Sequence, residues 1–365
     1  MKVKLLKTSN AIKYKFPYKT YDHASYKIIE NKNNSLYQCK KTFLIFKRNQ
    51  KLKKKLDNFY LTKQYASSRF SSHIDSKIIG KKNKSHYSSI AEIIKKYVKK
   101  SPNKILDIGC YDGKLLIELS KKYKKSELSG YDVSEKIKKA FRQNCKFNFV
   151  DNLINLKTKF DLIICVNTFQ YVPNLNFLID NMKRLLSHKG KIFFMNTCLD
   201  TFPLSINYGD QYIHIQKNSF KNYLRLNKLD GPIFTSNPLF PRNLIGVLSH
   251  SKIKYKTLIP KKVSYYLEYL RKIELKLKNI RENEINIFGS TINAKFVFEI
   301  IKKKFDKINF VDENPHKINK RFCGKKIISP FKLKSRSLLI MPYGPTNIKI
   351  INKLNNRYNF KYLKL

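Results

Sequence analysis

Two glycines and three aspartates carry the clearest chemical signal in this chain. Asp107, Gly109 and Gly113 lie in the run KILDIGCYDGKLL at 104–116, where an apolar stretch ends, the chain turns and a helical pattern begins. Strand, glycine-bearing turn and helix in that order bring a backbone close to a nucleoside or a phosphate. Gly109 permits a tight turn after the strand, and Gly113 lets the helix start close to a ligand. A dinucleotide-binding turn would have another glycine at position 111, where this chain has Tyr111. That ring leaves little room for a pyrophosphate on the helix start. Asp132 follows about twenty residues on, at the end of the next apolar run, where a carboxylate can accept both hydroxyls of a ribose. Asp151 closes the run after that, on the same edge of a parallel sheet and within reach of an adenine amino group. Either aspartate alone also fits the cap of the following helix.

These residues need a scaffold of alternating strands and helices. Residues 86 to about 200 supply it, with predicted strands at 105–108, 128–133, 147–150, 160–166 and 191–195 and helices between them, as a parallel α/β sheet requires. The run FDLIICV at 160–166 is apolar throughout, as a strand covered on both faces would be. Before this region, the first 85 residues are polar, basic and rich in tyrosine. They offer a predicted hairpin at 35–46, a helix at 52–65 and a hydroxyl-rich loop, YASSRFSSH, at 65–73. After it, residues 200–250 are irregular and aromatic, with Tyr208, Tyr212 and His214 close together. Residues 262–280 predict an amphipathic helix, with Val263, Tyr266, Leu267, Leu270, Ile273 and Leu277 on one face, bridging two domains. From 283 a second α/β unit begins. Gly289 opens its first turn, but Thr291 and Ala294 stand where a nucleotide-binding turn would place its later glycines.

Composition narrows the class. Apolar residues make up 42% and aromatic residues 13%, ample material for cores. The 76 Lys and Arg against 25 Asp and Glu give a formal charge of +51, which attracts polyanions. Lys, Asn and Ile are abundant, Trp is absent and Gly is scarce, as an A/T-rich coding sequence would give. The lysines are also scattered rather than gathered in one arm, so compositional bias is preferred over selection for nucleic acid. The six cysteines (Cys39, Cys110, Cys145, Cys165, Cys198, Cys323) are isolated, without a C-x-x-C pair. They read as buried thiols of a reducing compartment. No apolar run approaches the length of a membrane span and no signal peptide is evident, so a cytoplasmic protein is expected.

The order ILDIGCYDG, GYDVS, FNFVD, FDLIICVNTFQYV, GKIFFMN resembles the motif series of the class I S-adenosylmethionine (SAM) methyltransferases. It covers about a third of the chain. The resemblance implies a Rossmann-like SAM methyltransferase sheet. Asp107, Gly109 and Gly113 would surround the methionine end of the cofactor, Asp132 the ribose and Asp151 the adenine, with Asn167 to Tyr171 facing the transferred methyl. FGSTINAK at 288–295 and FVDENPHKINKRFCGKKIISP at 310–330 add a narrower likeness, to C-methyltransferases acting on nucleotide-bound deoxysugars. In that family a zinc ribbon precedes the SAM domain and a second, smaller Rossmann-like α/β domain follows it. Gly289, Lys295, Asp312, Asn314, Pro315, Lys317, Gly324 and Pro330 fit the family's C-terminal pattern. The division implied is 1–85 for a degenerate ribbon and substrate loop, 86–250 for the SAM domain, 251–282 for a linker helix and 283–365 for the C-terminal domain.

The chain departs from this family in two places. LYQCKKTFLIF at 36–46 resembles the ribbon's last knuckle, but Thr42 replaces its second cysteine. One thiolate cannot hold a tetrahedral zinc, so no metal is expected. At 208–211 the family reads Tyr-His-Glu-His, and this chain reads Tyr-Gly-Asp-Gln. Tyr208 is kept, Asp210 stands for the glutamate, and Gln211, which accepts no proton, stands for the base. Carbon methylation beside a ketone needs a general base near the methyl. Tyr208, Asp210 and His214 are the candidates, followed by Tyr171; the change at Gln211 also admits O- or N-methylation. The expected acceptor is a small molecule, a nucleotide sugar. Nucleic acid is the less favoured partner, because the residues after the fourth strand, Asn167-Thr-Phe-Gln170, are not the Asn-Pro-Pro-Tyr type that methylates base amino groups. A catalytically degenerate protein that binds SAM or a nucleotide sugar is the third reading.

Overall fold

A computed structural model describes residues 7–21, 28–30, 34–47, 85–144, 146–235, 237–252 and 255–365. The predicted helix at 52–65, the loop at 65–73 and Cys145 lie outside these residues. The described residues fall into two compact units. The first gathers those of Met1–Tyr14, Ser35–Cys198 and Gln211–Pro260, and the second those of Lys15–Asn34, Leu199–Asp210 and Lys261–Leu365.

In the first unit the predicted hairpin forms, with β1 (Asn34–Cys39) antiparallel to β2 (Ile45–Phe46). Thr42 lies in its turn, and its Oγ1 accepts the amide of Leu44 at 3.3 Å. Helix α1 (His86–Tyr97) starts at Ser85, whose hydroxyl accepts the Ser88 amide, and it buries Ile90, Ala91, Ile93 and Ile94. Then come β3 (Lys104–Ile108), α2 (Lys114–Lys122), β4 (Glu127–Tyr131), α3 (Glu135–Asn144), β5 (Asn148–Phe149), β6 (Phe160–Val166), α4 (Leu175–Leu185) and β7 (Leu186–Thr197). The unit closes with β8 (Ile213–His214), α5 (Lys217–Leu226), β9 (Leu229–Asp230), β10 (Ile233–Phe234) and β11 (Asn243–His250).

Eight of these strands make one sheet in the order β9-β11-β7-β6-β3-β4-β5, with β10 paired to β11. From β5 to β7 all neighbours are parallel, and β11 adds antiparallel to β7. The apolar run predicted to be covered on both faces is β6, at the middle of the sheet. One layer packs Ile90, Ile94, Leu115, Leu119 and Phe141 against it. On another set of contacts Phe169, Phe194 and Phe220 meet ring to ring, with centroids 5.3–5.8 Å apart. Strand β7 is longer than its predicted 191–195, because it is hydrogen-bonded on both sides and its register with β6 shifts between Leu186 and Lys191. The sheet order makes the chain leave β3 on one side for β4 and return on the other as β6. That reversal opens a crevice at the carboxyl ends of β3 and β6, where open α/β sheets bind ligands.

The second unit contains α6 (Val263–Lys278), β12 (Glu284–Phe288), α7 (Ile292–Ile301), β13 (Lys307–Val311), β14 (Arg321–Phe322), β15 (Lys325–Ile328), β16 (Leu338–Met341), α8 (Asn347–Asn355) and β17 (Lys361–Lys364). Its six-stranded sheet runs β14-β15-β13-β12-β16-β17, parallel except for β14. The predicted amphipathic helix is α6, which buries Val263, Tyr266, Leu270, Ile273 and Leu277 within this unit. Both sheets are Rossmann-like α/β arrangements. Among the described residues no helix is long and apolar enough to cross a membrane.

Candidate functional site

The glycine turn leaves β3 at Ile108 and meets the loop that leaves β6. Gly109 has φ +81°, and a Cβ there would stand 2.2 Å from Thr168 Oγ1. The absence of a side chain therefore lets the two loops close on each other. The Thr168 hydroxyl lies 3.3 Å from the Ile108 carbonyl and 3.1 Å from that of Val166, tying them together. The amides of Gly109 and Cys110 both donate to the Tyr131 carbonyl, at 2.7 and 3.1 Å. They are spent inside the fold rather than offered to a phosphate.

Two residues beside this junction take the left-handed conformation without being glycine: Tyr111 at φ +51° and Asn167 at φ +53°. Such backbone costs about 1–2 kcal/mol per residue and persists only where the surroundings fix it. At Tyr111 the amide donates to Asp132 Oδ2 at 3.3 Å, and the ring is buried with Ile137. At Asn167 the amide donates to Met195 at 2.6 Å, and Oδ1 accepts from Asn243 Nδ2 at 3.4 Å. Asp132 also accepts the Ser134 amide through Oδ1 at 3.2 Å. Its carboxylate is thus oriented by the backbone on both sides.

Around the junction lies a cavity of about 440 Å³, reached by Asp107, Gly109, Tyr111, Asp132, Asn167 and Tyr171 among others. Among the described residues its lining includes no lysine or arginine, in a chain that carries 76. Asp107 is 2% exposed. Burial, with the negative charge of Asp132 behind it, pushes this carboxyl up to about 8. A buried acid in that condition suits a cationic ligand, which supplies the missing counter-charge. SAM carries a sulfonium and an ammonium, and its ribose offers the diol that Asp132 can accept. Charge, size and chemistry of this lining fit that cofactor.

The structure brings Asp107, Gly109, Asp132, Asn167 and Tyr171 to the cavity. Gly113 caps α2 in the left-handed conformation and is not part of the lining. Asp151 follows β5 at the expected sheet edge, but its side chain is 58% exposed, pairs with Lys138 and lies 3.9 Å from Arg142. It does not line the cavity, because two cations spaced one helical turn apart on α3 draw it outward. Tyr208 and Asp210 belong to the second unit, where Asp210 is buried. His214 belongs to the first, on β8; burial and the positive charge of Lys47 hold its imidazole well below the usual histidine range.

Sequence reasoning missed Asn174, Phe177, His86 and Tyr87, all of which reach the cavity. Asn174 had a legible signal, since it caps α4 by accepting the Phe177 amide at 3.1 Å. His86 and Tyr87 open α1 and carry no local mark of a site. In the second unit the corresponding crevice, between β12 and β16, is filled. A Cβ on Gly289, at φ +80°, would fall 1.6 Å from the Tyr343 hydroxyl. Asp312, at the end of β13, is spent on Ser290 Oγ at 3.1 Å, Lys317 Nζ at 3.2 Å and the Asn314 amide at 3.0 Å.

Residues 83–230 match the family model described as a methyltransferase domain. This stretch, less than half of the chain, resembles a methyltransferase domain. The chain is also similar to two curated proteins. One is an uncharacterized protein of Methanocaldococcus jannaschii, 29% identical over 153 residues, which are 39% of this chain and 39% of that protein. The other is the malonyl-[acyl-carrier protein] O-methyltransferase of Bacillus cereus, 31% identical over 121 residues, 31% of this chain and 45% of the relative. The chain therefore spans less than half the length of either relative. Among solved structures, the chain is similar to the plantazolicin methyltransferase BamL with a triazolic desmethylPZN analog and SAH. That likeness is 17% in identity with TM-score 0.44, over 55% of this chain and 96% of that one. Magnesium protoporphyrin IX methyltransferase from Synechocystis with bound SAH is 16% identical with TM-score 0.40, over 55% and 99% of the two chains.

Proposed function

We propose that this chain transfers a methyl group from SAM to a small-molecule acceptor, and that the acceptor is a nucleotide-linked sugar. The reading is carried by one observation: two carboxylates, one buried and one backbone-oriented, reach a cavity at the reversal point of a parallel sheet, and no lysine or arginine among the described residues lines it. When bound, SAM supplies an electrophilic methyl on a sulfonium. The residues of the chain then have three tasks. Asp107 provides the negative charge for the methionine end, Asp132 accepts from the ribose, and the loop Asn167 to Tyr171 bounds the space where an acceptor meets the methyl. Transfer itself needs alignment and exclusion of water more than covalent help from the protein.

The sugar assignment is supported by the C-terminal pattern around Gly289, Asp312 and Pro330 and by the retained Tyr208. Tyr208, Asp210, His214 and Tyr171 remain the proposed proton-handling groups. The isolated thiols fit a cytoplasmic setting. Incubating the purified chain with labelled SAM and a nucleotide-sugar extract should move label into that fraction, with no transfer by a Gly109→Arg control. Calorimetry with SAH should give saturable heat. No heat and no transfer would sink the proposal.

The charge of +51 favours a second reading, methylation of RNA. Its mark would be retention of RNA that falls steeply as salt rises; no binding at low salt removes it.

A further inference from the structure

We propose that the first unit holds, beside the cofactor cavity, a compartment of neutral amide and imidazole groups that selects an uncharged, multiply hydrogen-bonding part of the acceptor. This inference rests on the methyltransferase reading above. Its residues are Gln170, Asn196, Gln211 and His214, which are 2%, 0%, 3% and 1% exposed. Gln170 Oε1, both polar atoms of Asn196, Gln211 Nε2 and both ring nitrogens of His214 have no hydrogen-bond partner among the described residues. Leaving a buried polar group unmet is costly, and native folds keep few such groups. Four side chains in one neighbourhood therefore point to something that meets them.

The backbone brings the four together. The Tyr212 amide donates to the Gln170 carbonyl at 2.8 Å, so the segment 211–214 runs along the turn 169–171. Tyr171 in that turn lines the cavity. On β7 the Phe194 ring meets Phe169 and Phe220. Asn196 lies two residues further along the same strand, so alternation puts it on that same face.

The chemistry of the group sets the ligand. Each amide offers donors and an acceptor, and a neutral imidazole offers one of each. His214 is held neutral by its burial and by Lys47. Among the described residues the adjoining cavity has no lysine or arginine in its lining. A carboxylate or phosphate entering here would lose its hydration against the four neutral side chains, while Lys47, the cation that acts on the imidazole, is buried and already engaged within the fold. Hydroxyl pairs or a carboxamide match the group without that cost.

Ring-labelled histidine in the full chain, observed by NMR with SAH present, tests this directly. The His214 resonance is identified by its loss in His214→Gln, or, if that variant does not fold, as the signal that stays neutral between pH 6 and 8. Methyl α-glucoside or acetamide should move it saturably, while acetate and phosphate at equal concentration should leave it in place. A glucoside response alone assigns hydroxyls, and an acetamide response alone assigns an amide. An equal response to acetate or phosphate, or no response to either neutral probe, overturns the proposal. So do crystals soaked in both neutral probes that show only ordered water on the four side chains. If SAH gives no heat, the methyltransferase reading fails separately, and the same titration in ligand-free protein still decides the compartment.

Discussion

Burial of Asp107 links cofactor binding to pH. Between its ordinary value of 3.8 and the raised value of about 8, the folded chain holds a proton that the unfolded chain has released. Stability from this group is therefore complete below pH 4 and is lost as pH rises toward 8, with no further change beyond. A cationic ligand reverses the preference by favouring the ionised form. SAM affinity should rise with pH up to about 8, by at most about tenfold per pH unit, with release of a proton. Calorimetry in buffers of different ionisation enthalpy measures both, and Asp107→Asn should flatten the profile. Asp132→Asn should weaken SAH by about 10- to 100-fold, the value of one to two charge-assisted hydrogen bonds, with unchanged circular dichroism. Gly109→Ala sets a methyl against Thr168 and strains a positive φ, so it should lower stability by about 1–3 kcal/mol in thermal unfolding. Adding Thr168→Ala should recover part of that loss.

At the scale of elements, what was legible in the sequence was local. The apolar run ending at Asp107, the glycine after it and the uninterrupted FDLIICV announce themselves without reference to distant residues. The sheet edge that carries Asp132 follows from counting strands. What was not legible depends on partners far along the chain. Tyr111 reads as an obstacle, yet its left-handed backbone is held by the carboxylate of Asp132 and its ring by Ile137. Asp151 sits at the predicted strand end, but the direction of its side chain is set by Lys138 and Arg142, whose positions the strand pattern does not encode. His86 and Tyr87 reach the cavity only because α1 is fixed at its start. That start depends on Ser85, whose hydroxyl accepts the Ser88 amide at 3.1 Å. Ser85→Ala should cost about 1 kcal/mol of stability in denaturant unfolding.

For the whole molecule, the contrast between a chain of charge +51 and a cavity lining that has no lysine or arginine among the described residues makes salt a clean discriminator. SAH affinity should stay within about twofold between roughly 50 and 300 mM salt, while any retention of RNA should collapse over the same range. The composition could not have revealed this, because it averages over surface and interior. The two compact units are each assembled from separated stretches of sequence, and the second borrows 15–34 and 199–210 from within the first. A laboratory fragment stopped after Pro260 would keep Tyr21, Phe202 and Ile206, all at most 1% exposed in the intact chain, but would delete the strands and helices of the unit they belong to. Those three side chains would become adhesive, and the fragment should precipitate or self-associate. Making a free-standing catalytic half would mean cutting out and rejoining at two internal points as well as trimming the end.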